Sequence, residues 1–138
     1  MATIRVETTI DVPADRVWEA VADVGAVHQR LLPGRVTNAV IEGDNRILTM
    51  PDGHQVRELI VAVDHDIRRM AYTVVEGQRM PLTYHHAAFQ VFEKDDSRSR
   101  LVWTTDVLPH AMAALVHPRV ERGIAEIKAV LEGTGSDS

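Results

Sequence analysis

Cysteine is missing from all 138 residues, which excludes disulfides, thiolate zinc sites and a cysteine nucleophile together. Aromatic residues make up only 4% of the chain, so platforms for stacking bases or fused rings are scarce. There is no run of Lys and Arg, and the net charge is −5. A phosphate-backbone surface is therefore not expected, and nucleic acid is excluded as a partner. No apolar stretch approaches the roughly 18 residues of a membrane span, and Met1-Ala2-Thr3-Ile4-Arg5 has no apolar signal core. A cytoplasmic location is the default expectation. Gly-rich phosphate loops, a G-x-S-x-G elbow and an H-E-x-x-H helix are absent as well. His110 and His117 share a helical stretch with no carboxylate at ligand spacing, so neither a metal nor any other cofactor is expected.

What is present is ordinary globular material, 45% apolar and 25% charged, enough to bury one core. A single domain over residues 1–132 with a flexible tail at 133–138 is expected, because Gly133-Thr134-Gly135-Ser136-Asp137-Ser138 has almost nothing to bury. Residues 3–11 alternate Ile4, Val6, Thr8 and Ile10 against polar neighbours, the pattern of a half-buried strand. Pro13 then opens a helix over about 14–23, with Val17, Trp18, Val21 and Val24 at helical spacing. Trp18 lies on that apolar stripe and reads as core. A second short helix follows over about 26–31 before Pro33-Gly34.

From Arg35 the period changes to two, with strands at about 35–42, 45–50, 54–65, 68–76, 83–94 and 99–108. The short connections make the sheet an antiparallel meander. After Pro109, a helical pattern fills 110–132 with Val116, Val120, Ile124, Ile127 and Leu131 on one face. Pro118 predicts a kink or restart, and Gly133 a C-terminal cap. The architecture is α+β, with a seven-stranded antiparallel sheet, two short helices after the first strand, and a long C-terminal helix whose apolar face needs the sheet.

The most informative turn is Pro51-Asp52-Gly53. Proline presets the second position of a type I turn, and glycine takes the positive φ of the bulge that follows. A three-residue loop closed by Met50 and His54 puts Leu48 across from Val56 and Arg46 across from Glu58. Arg46, Leu48, Met50, His54, Val56 and Glu58 then share one face. A two-residue Asp-Gly loop would shift the pairing by one and destroy this arrangement. The proline favours the longer loop.

Ile10-Asp11-Val12-Pro13-Ala14 with Val17-Trp18 and Asp23 resembles the opening of the SRPBCC proteins, the superfamily of START domains and the birch pollen allergen. Arg46 through Val56-Arg57-Glu58-Leu59, then Asp64, Arg68-Arg69-Met70-Ala71-Tyr72 and Trp103-Thr104-Thr105, is similar to its polyketide cyclase/dehydrase branch. The resemblance implies the helix-grip fold, in which the curved sheet wraps the long helix around an apolar cavity. It implies binding of a lipid- or polyketide-like hydrophobic molecule, or a cofactor-independent cyclase or dehydrase using cavity acid/base groups. An apolar small molecule is thus the expected ligand or substrate, and both monomer and homodimer remain open. By its spacing to Asp64 and Arg68-Arg69, Glu58 also resembles the cavity glutamate of the plant abscisic-acid receptors. The set of cavity Arg, Tyr and Trp residues of the aromatic-ring cyclases has no residue-by-residue match here.

Three side chains are candidates for acid/base work: Glu58, His85 and Tyr72. Glu58 in a dry cavity would hold its proton more tightly, while Arg46 opposes that; a structural ion pair is the competing role. His85 and His86 are adjacent on a strand and point to opposite faces, so they cannot share a metal. Placing Phe89 and Val91 inward puts His85 and Ala87 inside as well. Tyr72 falls inward with Val74. Trp103 and Thr105 share a face of the last strand, as cavity wall and hydroxyl contact or as plain core. The expected ligand-binding set is Arg46, Leu48, Met50, His54, Val56, Val74, Ala87, Phe89, Trp103, Thr105, Val116 and Val120.

Overall fold

The computed structural model describes residues 2–136. β1 (Ala2–Ile10) leads into α1 (Ala14–Ala22), a 3₁₀ turn at Val24–Ala26, and α2 (Val27–Arg30). Six strands follow: β2 (Asn38–Glu42), β3 (Asn45–Thr49), β4 (Gln55–Asp64), β5 (Arg69–Glu76), β6 (Tyr84–Glu93) and β7 (Ser99–Leu108). A 3₁₀ turn at His110–Met112 introduces α3 (Ala113–Ser136). The seven strands form one antiparallel sheet in the order β1-β7-β6-β5-β4-β3-β2. The first strand therefore closes onto the last, with Ile4 across from Thr105. This is the helix-grip architecture.

α1 begins where Pro13 fixes the backbone, its carbonyl accepting from the N–H groups of Arg16 and Val17. Its apolar stripe of Ala14, Val17, Trp18 and Val21 is buried. α3 rests mainly on β1 and β7, and it buries Val116, Val120, Ile124, Ile127 and Leu131, the face expected from periodicity. Gly123 lets it come close: a Cβ there would stand 2.7 Å from the Trp103 ring.

Four local expectations are corrected. The strand expected from residue 35 starts at Asn38, because the amides of Arg35 and Val36 still bond to the Leu32 carbonyl in a helical turn. Pro118 sits inside one continuous helix without a restart; packing of Val116 and Val120 on either side holds the helix across the missing N–H. Gly133 is not a cap, since the helix runs through it to Ser136; Asp137 and Ser138 lie outside the described residues. The period-two reading of β4 also missed a bulge, where pairing shifts between Ile60 and Ala62 and Val61 turns outward, half exposed.

Candidate functional site

The hairpin between β3 and β4 closes as the three-residue loop. The Met50 amide donates to the His54 carbonyl at 2.8 Å, and the Gly53 amide donates to the Met50 carbonyl. Gly53 takes a φ of 88°, open to glycine at no steric cost. Asp52 Oδ1 accepts from the His54 amide. Arg46 accordingly stands across from Glu58, and Leu48 across from Val56.

Both charges face inward. Arg46 and Glu58 are 3% and 6% exposed, with Arg46 Nε donating to Glu58 Oε1 at 2.8 Å. A second guanidinium nitrogen donates to the Val24 carbonyl, where the chain leaves α1. The guanidinium also lies over the Tyr72 ring, 5.0 Å from its centre. Burial pushes the Glu58 carboxyl up from its ordinary range, against the pull of the Arg46 charge and hydrogen bond. Burial first, and the Glu58 charge second, hold the Tyr72 hydroxyl far above its usual value. Tyr72 is therefore a hydrogen-bond donor rather than a phenolate.

β6 splits its two histidines as expected. His86 turns outward and stacks on Tyr84 at 6.5 Å. His85 turns inward and meets the Tyr72 ring edge at 6.4 Å. Its Nδ1 sits 3.0 Å from Gln78 Nε2, and burial pushes the imidazole down, toward the neutral form. With the Gln78 amide donating to Nδ1, the remaining proton is on Nε2. Tyr72, Ala87 and Thr105 occupy one rung of the sheet, while Phe89 and Trp103 pair on the next. The rings of Phe89 and Trp103 are 4.5 Å apart.

Arg46, Glu58 and Tyr72 thus form one buried polar group, and His85 reaches it through Tyr72. Leu48 is buried beneath the pair; Met50, Val56 and Val74 are half-buried nearer the rim. His54 is pinned at the rim, its Nε2 2.6 Å from the Gly77 carbonyl. Ala87, Phe89, Trp103, Val116 and Val120 belong to one packed core with Leu48 and Tyr72. Among the described residues no group of three or more acidic or histidine side chains could hold a metal.

Two openings are lined without any residue of α3. One cavity of about 260 Å³ is lined by Val74, Gly77, Gln78, Leu82 and His85 with their neighbours. It exists because β5 and β6 stop pairing after Thr73 and His86 and splay apart. A shallower groove of about 530 Å³ lies outside the grip, between Trp18, Glu19, Arg30 and His65. Neither lies between the sheet and α3.

Sequence reasoning missed Gln78, the Val24 carbonyl, and an ion pair of Asp52 with Arg79 that ties the β3–β4 turn to the β5–β6 loop. It also missed the hydrogen bond from the Trp18 indole to His65 Nδ1 at 3.1 Å. Gly123 alone carried a signal: a glycine inside an apolar helical face marks close approach.

Fold and buried polar group define a helix-grip protein with polar chemistry inside an apolar core. The chain belongs to the family described as polyketide cyclase / dehydrase and lipid transport, which matches residues 1–132. No curated protein sequence matches it. A START superfamily protein from Mycobacterium smegmatis superposes with a TM-score of 0.77 at 14% identity, covering 99% of both chains. Norcoclaurine synthase from Thalictrum flavum, in complex with dopamine and hydroxybenzaldehyde, gives 0.73 at 22% identity, covering 96% of this chain and 84% of the other. The di-domain ARO/CYC protein BexL from the BE-7585A biosynthetic pathway gives 0.82 at 14%, covering 96% of this chain and 47% of the other. At these identities the likeness concerns the fold. No described helix is long and apolar enough to cross a membrane.

Proposed function

We propose that the protein binds a hydrophobic small molecule inside the grip, with its polar end at Arg46, Glu58 and Tyr72. The observation that carries this reading is the ion pair itself, two charges less than a tenth exposed in an apolar core. A fold needing only stability is served as well by apolar side chains of similar volume. The splayed end of β5 and β6 has His85 and Gln78 on its wall, and His85 meets the Tyr72 ring of that group. The family supports the same class of ligand.

Nile red, a neutral apolar dye, tests it. The dye is expected to bind stoichiometrically and to quench tryptophan emission through Trp103, with Trp18 as the internal control. Quenching should largely vanish in Trp103→Phe. Absence of saturable dye binding, or quenching undiminished in that variant, refutes the interior site.

A second reading is a cyclase- or dehydrase-type enzyme. It is favoured by two groups suited to proton transfer, a carboxyl pushed up by burial at Glu58 and a neutral imidazole at His85. Turnover of a carbonyl substrate lost in both Glu58→Gln and His85→Gln, with dye binding retained, would establish it.

A further inference from the structure

Two polar atoms on the inner face of β7 have no partner. Trp103 Nε1 and Thr105 Oγ1 are buried and make no hydrogen bond, in residues 9% and 1% exposed. They are two positions apart on one strand, so both side chains project to the same side. An indole N–H can only donate, and a buried donor left unpaired is costly. The Tyr72 hydroxyl lies beside the Trp103 N–H, yet the two close no bond of normal geometry. Ala87, between Tyr72 and Thr105 on the same rung, carries no side-chain polar atom that could pair with either. His28 and Ser99 also carry orphaned atoms, but His28 lies on α2, and Ser99 is separated from Trp103 by Leu101.

We infer that Trp103 and Thr105 are specificity-determining donors, which select ligands with a neutral acceptor oxygen, a ketone, ester or amide carbonyl, over hydrocarbons and carboxylates. This rests on the binding reading above. The Trp103 N–H and the Thr105 hydroxyl lack a partner of normal geometry, and the Tyr72 hydroxyl lies beside the Trp103 N–H. A carbonyl oxygen has two lone pairs and satisfies two of these donors. A carboxylate would bring a charge with nothing to balance it, because Arg46 is already engaged by Glu58 and the Val24 carbonyl. Glu58 would repel it as well. A hydrocarbon leaves the donors as they are.

The test uses three matched probes: 2-acetylnaphthalene, 2-ethylnaphthalene and 2-naphthoate, titrated calorimetrically. The wild type should bind the ketone most tightly once each affinity is corrected for partition into an apolar solvent, and the carboxylate most weakly. Thr105→Val keeps the shape and removes the hydroxyl. It should lower the ketone-to-hydrocarbon ratio about tenfold, the worth of one hydrogen bond, while hydrocarbon affinity holds. Thr105→Ser should restore the ratio, and Trp103→Phe should lower it independently. Thermal unfolding checks each fold; Thr105→Val should melt no lower than the parent, since it removes a buried orphan. An unchanged ratio in both Thr105→Val and Trp103→Phe overturns the inference and leaves the binding reading standing. That is also the result if a trapped water satisfies these atoms. Failure of all three probes to bind the wild type overturns the binding reading itself.

Discussion

Replacing Gly123 with Ala sets two effects of known size against each other. In a helix interior, Gly→Ala ordinarily stabilises by about 0.5–1 kcal/mol, because glycine loses more backbone freedom on folding. Here the new Cβ would stand 2.7 Å from Trp103 Cζ3 and 3.1 Å from Cη2, well inside contact distance. The ring cannot yield easily: Trp103 is 9% exposed and its far side packs on Phe89 with centres 4.5 Å apart. Either the indole leaves its rotamer or α3 lifts from β7. Overpacking of this kind costs about 1–3 kcal/mol. The clash wins, and the expected net loss is about 1–2 kcal/mol, or roughly 3–10 °C in Tm for a domain of this size. Urea denaturation followed by tryptophan fluorescence measures it, with a shift in Trp103 emission in the native baseline. The double variant Gly123→Ala/Trp103→Phe is the control: with the smaller ring the alanine should become neutral or stabilising. Gly123→Ala raising stability in the wild-type background would refute the close seating of α3 on Trp103.

Two further perturbations follow from the same geometry. Ile127 is completely buried on α3, so Ile127→Ala should cost about 2–5 kcal/mol in chemical denaturation; a loss of a few tenths would mean the helix is not gripped. Burial raises the Glu58 carboxyl above its ordinary 4.5, so the folded protein holds that proton more tightly than the unfolded chain does. The stability this confers is fully present below the ordinary value and declines as pH climbs through the folded one. Glu58→Gln removes that slope, and near neutral pH it should be within about 1 kcal/mol of the parent or more stable, while binding ligand more weakly. Parallel stability curves for parent and variant from about pH 4 to about pH 8 would show that Glu58 is not perturbed.

Much of the site was legible because turn chemistry and strand parity are local rules. Pro51-Asp52-Gly53 determines the loop, the loop determines the register, and the register brings Arg46 to Glu58 thirty-odd atoms of backbone away. The split of His85 from His86 follows from the same alternation. What stayed hidden depends on segments far apart in sequence. The Val24 carbonyl meets Arg46 only because α1 and the turn after it cross the sheet. Gln78 reaches His85 from a loop with no pattern of its own. The restart expected at Pro118 is absent because a helix-breaking propensity is worth a few kcal/mol at most, and packing of Val116 and Val120 on either side outweighs it. The open space escaped for a related reason: where β5 and β6 part company is decided by the strand twist and the loop between them, not by any residue that announces it.

Arg46 and Glu58 form a buried ion pair in an otherwise apolar core. The chain sets them beneath the edge of the sheet, with the guanidinium held at three points: the carboxylate, the Val24 carbonyl and the Tyr72 ring. Burial outweighs the attraction at Glu58, and buried ion pairs are in general no more stabilising than well-packed apolar residues of similar volume. On the binding reading proposed above, a guanidinium held at these three points is pre-organised for the ligand's polar end. The orphaned donors of Trp103 and Thr105 on β7 extend the same imbalance: charges that are satisfied but costly on one strand pair, donors that are unsatisfied on another, with Tyr72 between them. Under the inference drawn above, a ligand with one acceptor oxygen and an apolar body would relieve the second deficit without disturbing the first.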